Sequence, residues 1–171
     1  EEFLSRVEQA LKGGVTLLQL REKEKSTREY IELAEKVHEL AKRYHVPLII
    51  DDRVDVALAI DAEGVHVGAS DMPVATARKL MGKDKIVGAT AKTVPWAKEA
   101  YEKGVVLSGL SSGAMCWFEM GWDDCGEDHS FVFIECLGIL KGCFCPHYEG
   151  KTWNNFKHAI KTIDYENIKL L

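Results

Sequence analysis

Residues 47–67, PLIIDDRVDVALAIDAEGVHV, decide how the chain folds. Pro47 to Ile50 is a short apolar run that stops at a pair of carboxylates, Asp51 and Asp52, and it reads as a strand. Val54 to Ile60 follows as a short helix, and Gly64 to Val67 as the next strand. Two strands joined through a helix run parallel, because a crossover returns the chain to the same end of the sheet. The pattern extends both ways. Upstream, Phe3, Leu4, Val7 and Leu11 recur at helical spacing before Gly13-Gly14, and Val15 to Leu20 is apolar and partly β-branched. Ser26-Thr27-Arg28-Glu29 then forms a capping box ahead of the periodic set Tyr30, Leu33, Ala34, Val37, Leu40 and Ala41. Downstream come a helix over Pro73 to Met81, a strand over Ile86 to Ala89 and a helix over Pro95 to Lys103.

Beyond residue 104 the spacing predicts a further strand over Val105 to Leu110, a Ser/Gly turn, and a continuation of the alternation through the apolar stretch Ala114 to Met120. A polar loop is expected over Gly121 to Ser130, a strand over Phe131 to Cys136, a helix marked by Trp153, Phe156, Ile160 and Ile163, and a closing strand over Ile168 to Leu171. The fold class is therefore α/β, a mostly parallel sheet with helices on both faces. A length of 171 residues is expected to form one compact domain.

Composition narrows function. The formal charge is −5, with no dense run of Lys or Arg, so neither a nucleic acid nor an anionic membrane is the expected partner. No apolar stretch is long enough to span a bilayer, and a cytoplasmic protein is expected. All five cysteines, Cys116, Cys125, Cys136, Cys143 and Cys145, fall in the last third, whereas 17 of the 22 Lys and Arg residues fall at or before Lys103. The composition changes near Gly104, and an odd cysteine count argues for reduced thiols.

Gln19, Arg21 and Lys23 alternate at the end of a strand and so project to one side, where two cations and an amide suit a phosphate. Asp51-Asp52 end the next strand and Asp71 follows the one after it. Ligands of a parallel α/β sheet sit beyond the carboxyl ends of its strands, and carboxylates beside a phosphate suit Mg²⁺. The segments GGVTLLQLREK, IIDDRVDVALAIDAEGVHVGASDMP and VGATAKTV resemble thiamine phosphate synthase, a TIM-barrel enzyme, over nearly all of residues 1–103. The resemblance implies that Gln19, Arg21 and Lys23 contact a pyrimidine pyrophosphate and that Asp52 and Asp71 hold Mg²⁺. It sets Thr90 where the family usually has Ser, and Asp51 where Asn is common.

Gly109-Leu110-Ser111-Ser112-Gly113 has the form of a G-x-S-x-G turn, which exposes a serine hydroxyl between a strand and a helix. Together with Trp122-Asp123-Asp124 and the run Leu137 to Tyr148, it is similar to the aspartyl dipeptidase family, a serine peptidase with a flavodoxin-like fold. By that resemblance Ser111 is the nucleophile, His147 the general base and Asp124 an important acid. A second reading of Cys125, Cys143, Cys145 and His147 is a zinc site, although C-x-C departs from the usual ligand spacing. The other histidines, His66 among them, receive no role.

The two resemblances meet near Gly104, giving a flavodoxin-like/half-barrel hybrid built from residues 1–104 and 105–171. The synthase's Pro-Thr-x-Thr-Lys loop and its later glycine-rich turns do not follow Gly104, and the peptidase's upstream strands do not precede Val105. The resulting expectation is an engineered chimera without efficient activity and with no cofactor of its own, Mg²⁺ entering only with a phosphate ligand. The alternatives are a serine hydrolase using Ser111 and His147, and a Mg²⁺-dependent phosphate binder. Exposed strand edges are expected to pair into a homodimer.

Overall fold

The computed structural model describes residues 2–102, 104–148 and 155–162. Contacts divide the chain between Lys92 and Thr93 into two compact units. The first alternates helix and strand throughout: α1 (Glu2–Lys12), β1 (Leu18–Leu20), α2 (Thr27–Arg43), β2 (Leu48–Asp51), α3 (Val54–Ala59), β3 (Gly64–Val67), α4 (Val74–Met81) and β4 (Ile86–Ala89). Its four strands form an all-parallel sheet in the order β1-β2-β3-β4. The sheet is thus laid down in sequence order, as in a barrel built from successive βα units. The strand expected from Val15 is shorter than the apolar run, beginning at Leu18.

The capping box forms as the sequence implies. Ser26 Oγ accepts from the Glu29 amide at 3.4 Å, and the Glu29 carboxylate accepts from the Ser26 amide at 3.0 Å, starting α2 at Thr27. Strand alternation then sorts the side chains. Leu18, Leu20, Leu48, Ile50, Val65, Val67 and Val87 meet Val7 of α1, Val37 of α2, Val56 of α3 and Met81 of α4 in one apolar cluster. Burying each of the fully covered side chains among them stabilises the unit by about 1.5–3 kcal/mol, while Val7, Leu18 and Val87 are only partly covered. The same alternation turns Gln19, Ile49, Asp51, Gly64, His66 and Gly88 to the opposite face.

The second unit comprises α5 (Val94–Glu102), α6 (Ser112–Met115), β5 (Phe118–Asp123), β6 (Val132–Glu135), β7 (Leu140–Phe144) and α7 (Phe156–Ala159), with single 3₁₀ turns at Glu127–His129 and Ile160–Thr162. Its sheet has the order β6-β5-β7, with β5 antiparallel to β6 and parallel to β7. Every other strand pairing described is parallel, so the molecule is a mostly parallel α/β protein. Trp122, Cys143 and Phe156 form the core of this unit, with Phe131 and Phe133 packed against them. The Trp122 and Phe133 ring centroids lie 4.6 Å apart.

Three expectations for this region are corrected. Val105 to Leu110 is not a strand: Val106 and Leu110 are each 91% exposed, so the apolar run has no sheet to enter. The stretch Ala114 to Met120 changes structure midway, because α6 ends at Met115 and β5 begins at Phe118. The loop expected from Gly121 begins only after Asp123, since Trp122 is drawn into the sheet to anchor the core. Leu140–Phe144 forms a strand where none was foreseen. Of the last predicted helix, Phe156 and Ile160 lie in α7 and the turn after it, while Trp153, Ile163 and the strand over 168–171 lie outside the described residues. Among the described residues no helix is long and apolar enough to cross a membrane.

Candidate active site

The carboxyl ends of β1 to β4 gather most of the residues singled out for phosphate and metal. Pairing of β1 with β2 sets Gln19 beside Ile49 and Leu20 beside Ile50, so Gln19 and Arg21 flank the end of β2 at Asp51. Gln19 Nε2 donates to Asp51 Oδ1 at 2.6 Å, and Arg21 Nε lies 3.0 Å from Asp51 Oδ2. Lys23 Nζ lies 3.2 Å from Asp52 Oδ2. Asp52 takes a left-handed backbone, φ 65°, which Asp tolerates better than most residues. Its amide donates to the His66 carbonyl at 2.8 Å, tying the end of β2 to β3.

Asp71 turns back on its own loop, its Oδ2 accepting from the Gly68 amide at 2.7 Å. Thr90 Oγ1 lies 2.9 Å from His66 Nε2. His66 crosses the face of β4 closely enough that a Cβ at Gly88 would come within 2.6 Å of its Nδ1, so glycine is required there. Behind the strand ends the Tyr30 hydroxyl donates to the Leu20 carbonyl at 2.8 Å. Burial first, and then the Asp51 charge, push that phenol up to about 12.

His66, which received no role from the sequence, and Asp51, named there only as a strand-end carboxylate, therefore stand inside this cluster. Asp51 bridges Gln19 and Arg21, and His66 stands between Asp51, its register partner, and Thr90. Both were detectable from period-2 spacing, which places Gln19, Asp51 and His66 on one face of their strands. Among the described residues, no three His, Cys, Asp or Glu side chains are grouped so as to hold a metal by themselves, and this applies to the Cys125, Cys143, Cys145 and His147 set.

In the second unit, Ser111 sits at the turn before α6 with φ 55° and ψ −122°, a region non-glycine residues rarely occupy. A Cβ at Gly109 would collide with the Gly113 carbonyl, so the turn closes only on glycine. Ser111 Oγ lies 2.7 Å from His147 Nε2. Asp124 is exposed just beyond β5. Burial raises the Cys143 thiol to about 12 and the Cys145 thiol to about 11, which keeps both protonated and unreactive at neutral pH.

A family model described as thiamine monophosphate synthase matches residues 1–114. The chain belongs to the thiamine monophosphate synthase family. It is 51% identical over 112 residues to the thiamine-phosphate synthase of Methanobrevibacter smithii, covering 66% of this chain and 54% of that protein. It is 54% identical over 112 residues to thiamine-phosphate synthase 2 of Streptococcus pneumoniae, covering 66% and 53%. A thiamine phosphate pyrophosphorylase from Pyrococcus furiosus superposes with a TM-score of 0.54 at 40% identity, over 60% of this chain and 50% of that one. The chain spans about half the length of the curated relatives it matches.

A second family model, Peptidase family S51, matches residues 89–169, so the two-part composition read from the sequence stands. The reading of an engineered, inert chimera does not. Relatives sharing about half of the aligned residues are natural enzymes named for thiamine phosphate synthesis, and such likeness marks a catalytic lineage rather than a packing exercise.

Proposed function

We propose that the first unit is the pyrophosphate-binding part of a thiamine phosphate synthase-type transferase acting on a pyrimidine pyrophosphate. The observation that carries this is the pairing at the strand ends, Arg21 on Asp51 and Lys23 on Asp52, which holds two cations at the carboxyl edge of a parallel sheet. Gln19, Arg21, Lys23 and Thr90 would donate to the phosphate oxygens and stabilise the negative charge that grows on departing pyrophosphate. Asp52 and Asp71 would hold Mg²⁺. Mg²⁺ usually takes one or two carboxylates and completes its shell with water and phosphate, which suits carboxylates that follow the neighbouring strands β2 and β3. When bound, Mg²⁺ supplies further neutralisation of the pyrophosphate charge.

The test is a thermal shift of the full chain with inorganic pyrophosphate and Mg²⁺. The melting temperature should rise, and Asp52→Ala should abolish the rise. No shift with the unsubstituted protein rejects the reading. A cytoplasmic setting accords with reduced thiols, and a charge of −5 accords with a small-molecule substrate rather than a nucleic acid.

A second reading for the other unit is favoured by the contact of 2.7 Å between Ser111 and His147. With its proton on Nδ1, the His147 ring accepts the serine proton at Nε2, leaving Oγ free to attack a carbonyl carbon. The strained backbone at Ser111 is the geometry that exposes such a hydroxyl. A serine hydrolase of the aspartyl dipeptidase type would cleave an Asp-Xaa dipeptide, and Ser111→Ala would remove that cleavage.

A further inference from the structure

Behind the strand ends lies a buried hydroxyl for which the proposed function has no task. Tyr30, near the start of α2, is 1% exposed and belongs to the apolar cluster with Ala34, Val37, Leu48 and Ile50. Its hydroxyl donates to the Leu20 carbonyl at 2.8 Å. Leu20 is the last residue of β1, and Arg21 follows it. A peptide unit is planar, so a bond that fixes the Leu20 carbonyl also fixes the Arg21 nitrogen, and with it the direction in which Arg21 leaves the strand.

The donor itself is anchored. The Tyr30 amide donates to the Ser26 carbonyl at 2.9 Å, and the Ser26–Glu29 box sets where α2 begins. The segment carrying Arg21 and Lys23 is thus held at both ends by the opening of α2, at Leu20 by Tyr30 and at Ser26 by Glu29. Between those points the Arg21 and Lys23 side chains are 60% and 56% exposed. On a loose segment they would lose backbone and rotamer freedom when gripping a ligand, and a segment fixed beforehand avoids the backbone part of that loss. Burial first, and then the Asp51 charge, push the phenol up to about 12, so it remains a donor throughout the neutral range.

We propose that Tyr30 is a positioning residue: its buried hydroxyl pins the end of β1 so that Arg21 and Lys23 are already directed toward a phosphate before one arrives. This rests on the pyrophosphate reading of the first unit. It adds a residue of the helix layer, out of reach of any ligand, to the parts that set affinity.

The experiment is calorimetric titration of the full chain with inorganic pyrophosphate in the presence of Mg²⁺, comparing the unsubstituted protein, Tyr30→Phe and Tyr44→Phe, with urea unfolding of each. Tyr44 is the matched control, since its hydroxyl donates to Glu8 at 2.8 Å from the other end of α2. Loss of one neutral hydrogen bond predicts about fivefold weaker binding for Tyr30→Phe. Tyr44→Phe should lower stability and leave the binding constant unchanged. Should Tyr30→Phe fail to fold, hydrogen exchange in the unsubstituted protein answers instead: the Arg21 and Glu22 amides should be protected before pyrophosphate is added and change little afterwards.

Undiminished binding by folded Tyr30→Phe would show the hydroxyl to be merely structural and overturn the proposal. So would an equal loss in Tyr44→Phe, or amides at Arg21 and Glu22 that gain protection only with ligand. No binding by the unsubstituted protein overturns the pyrophosphate reading, and the purpose of the pin with it.

Discussion

The two units hold their candidate site residues in opposite ways. In the first, a continuous apolar layer joins four helices to alternate residues of four parallel strands, and the polar side chains sit on strand ends that the layer makes rigid. They are oriented by ion pairs, Arg21 on Asp51 and Lys23 on Asp52. In the second, the core is a small aromatic cluster around Trp122, and Ser111 sits on a strained backbone at a glycine-closed turn. A broad core lets relaxed backbone and charge do the positioning. Where the core is small, a single turn has to hold the geometry itself.

The largest effect should separate the units through their cores. Trp122→Ala removes the centre of the aromatic cluster and should cost about 3–5 kcal/mol. Hydrogen exchange resolved by residue should accelerate in β5 to β7 and stay unchanged in β1 to β4; a uniform acceleration would erase the contrast. Next, Gly109→Ala sets a methyl group against the Gly113 carbonyl and should cost about 1–3 kcal/mol as strain. An active-site-directed fluorophosphonate should then label Ser111 more slowly than in the unsubstituted chain, and undiminished labelling would show that strain is not what presents the hydroxyl.

Ser26→Ala deletes the cap of α2 and should destabilise the first unit by about 1 kcal/mol in urea unfolding. The smallest effect concerns acid. Glu63 is partly desolvated, which alone would raise its pKa, but the Leu48 amide at 2.8 Å and His38 at 3.1 Å outweigh this and hold the carboxyl below its ordinary 4.5. A depressed pKa means that the native state binds the proton less readily than the unfolded chain. The stabilisation is therefore present above pH 4.5 and is lost as pH falls through the lower, folded value. Glu63→Gln should flatten the stability profile of the first unit below pH 4.5, and an unchanged acid slope would remove Glu63 from the account.

Much of the first unit was legible because its signals are local. The Ser26–Glu29 box, the helical periodicity of Tyr30 to Ala41 and the apolar runs ending at Asp51 and Val67 each report on residues a few positions away. The second unit was read less well for the same reason. Val105 to Leu110 carries strand-like residues, but a strand also needs a neighbour, and no described strand pairs with it. β5 was misread because its partners lie later in the chain, β6 across a polar turn and β7 beyond it.

The candidate sites divide along the same line. Residue type and spacing were enough to nominate Gln19, Arg21, Lys23, Asp52, Asp71 and the Ser111 turn, because each chemistry needs those groups, while Thr90 and His147 came from the family resemblances. Partner choice came only with register and packing: Asp51 between Gln19 and Arg21, His66 against Thr90, and an imidazole 36 positions downstream brought to Ser111. Hydrogen bonds and ion pairs depend on distances of a few ångströms, and between residues far apart in the chain those distances are set by how strands align and cores close.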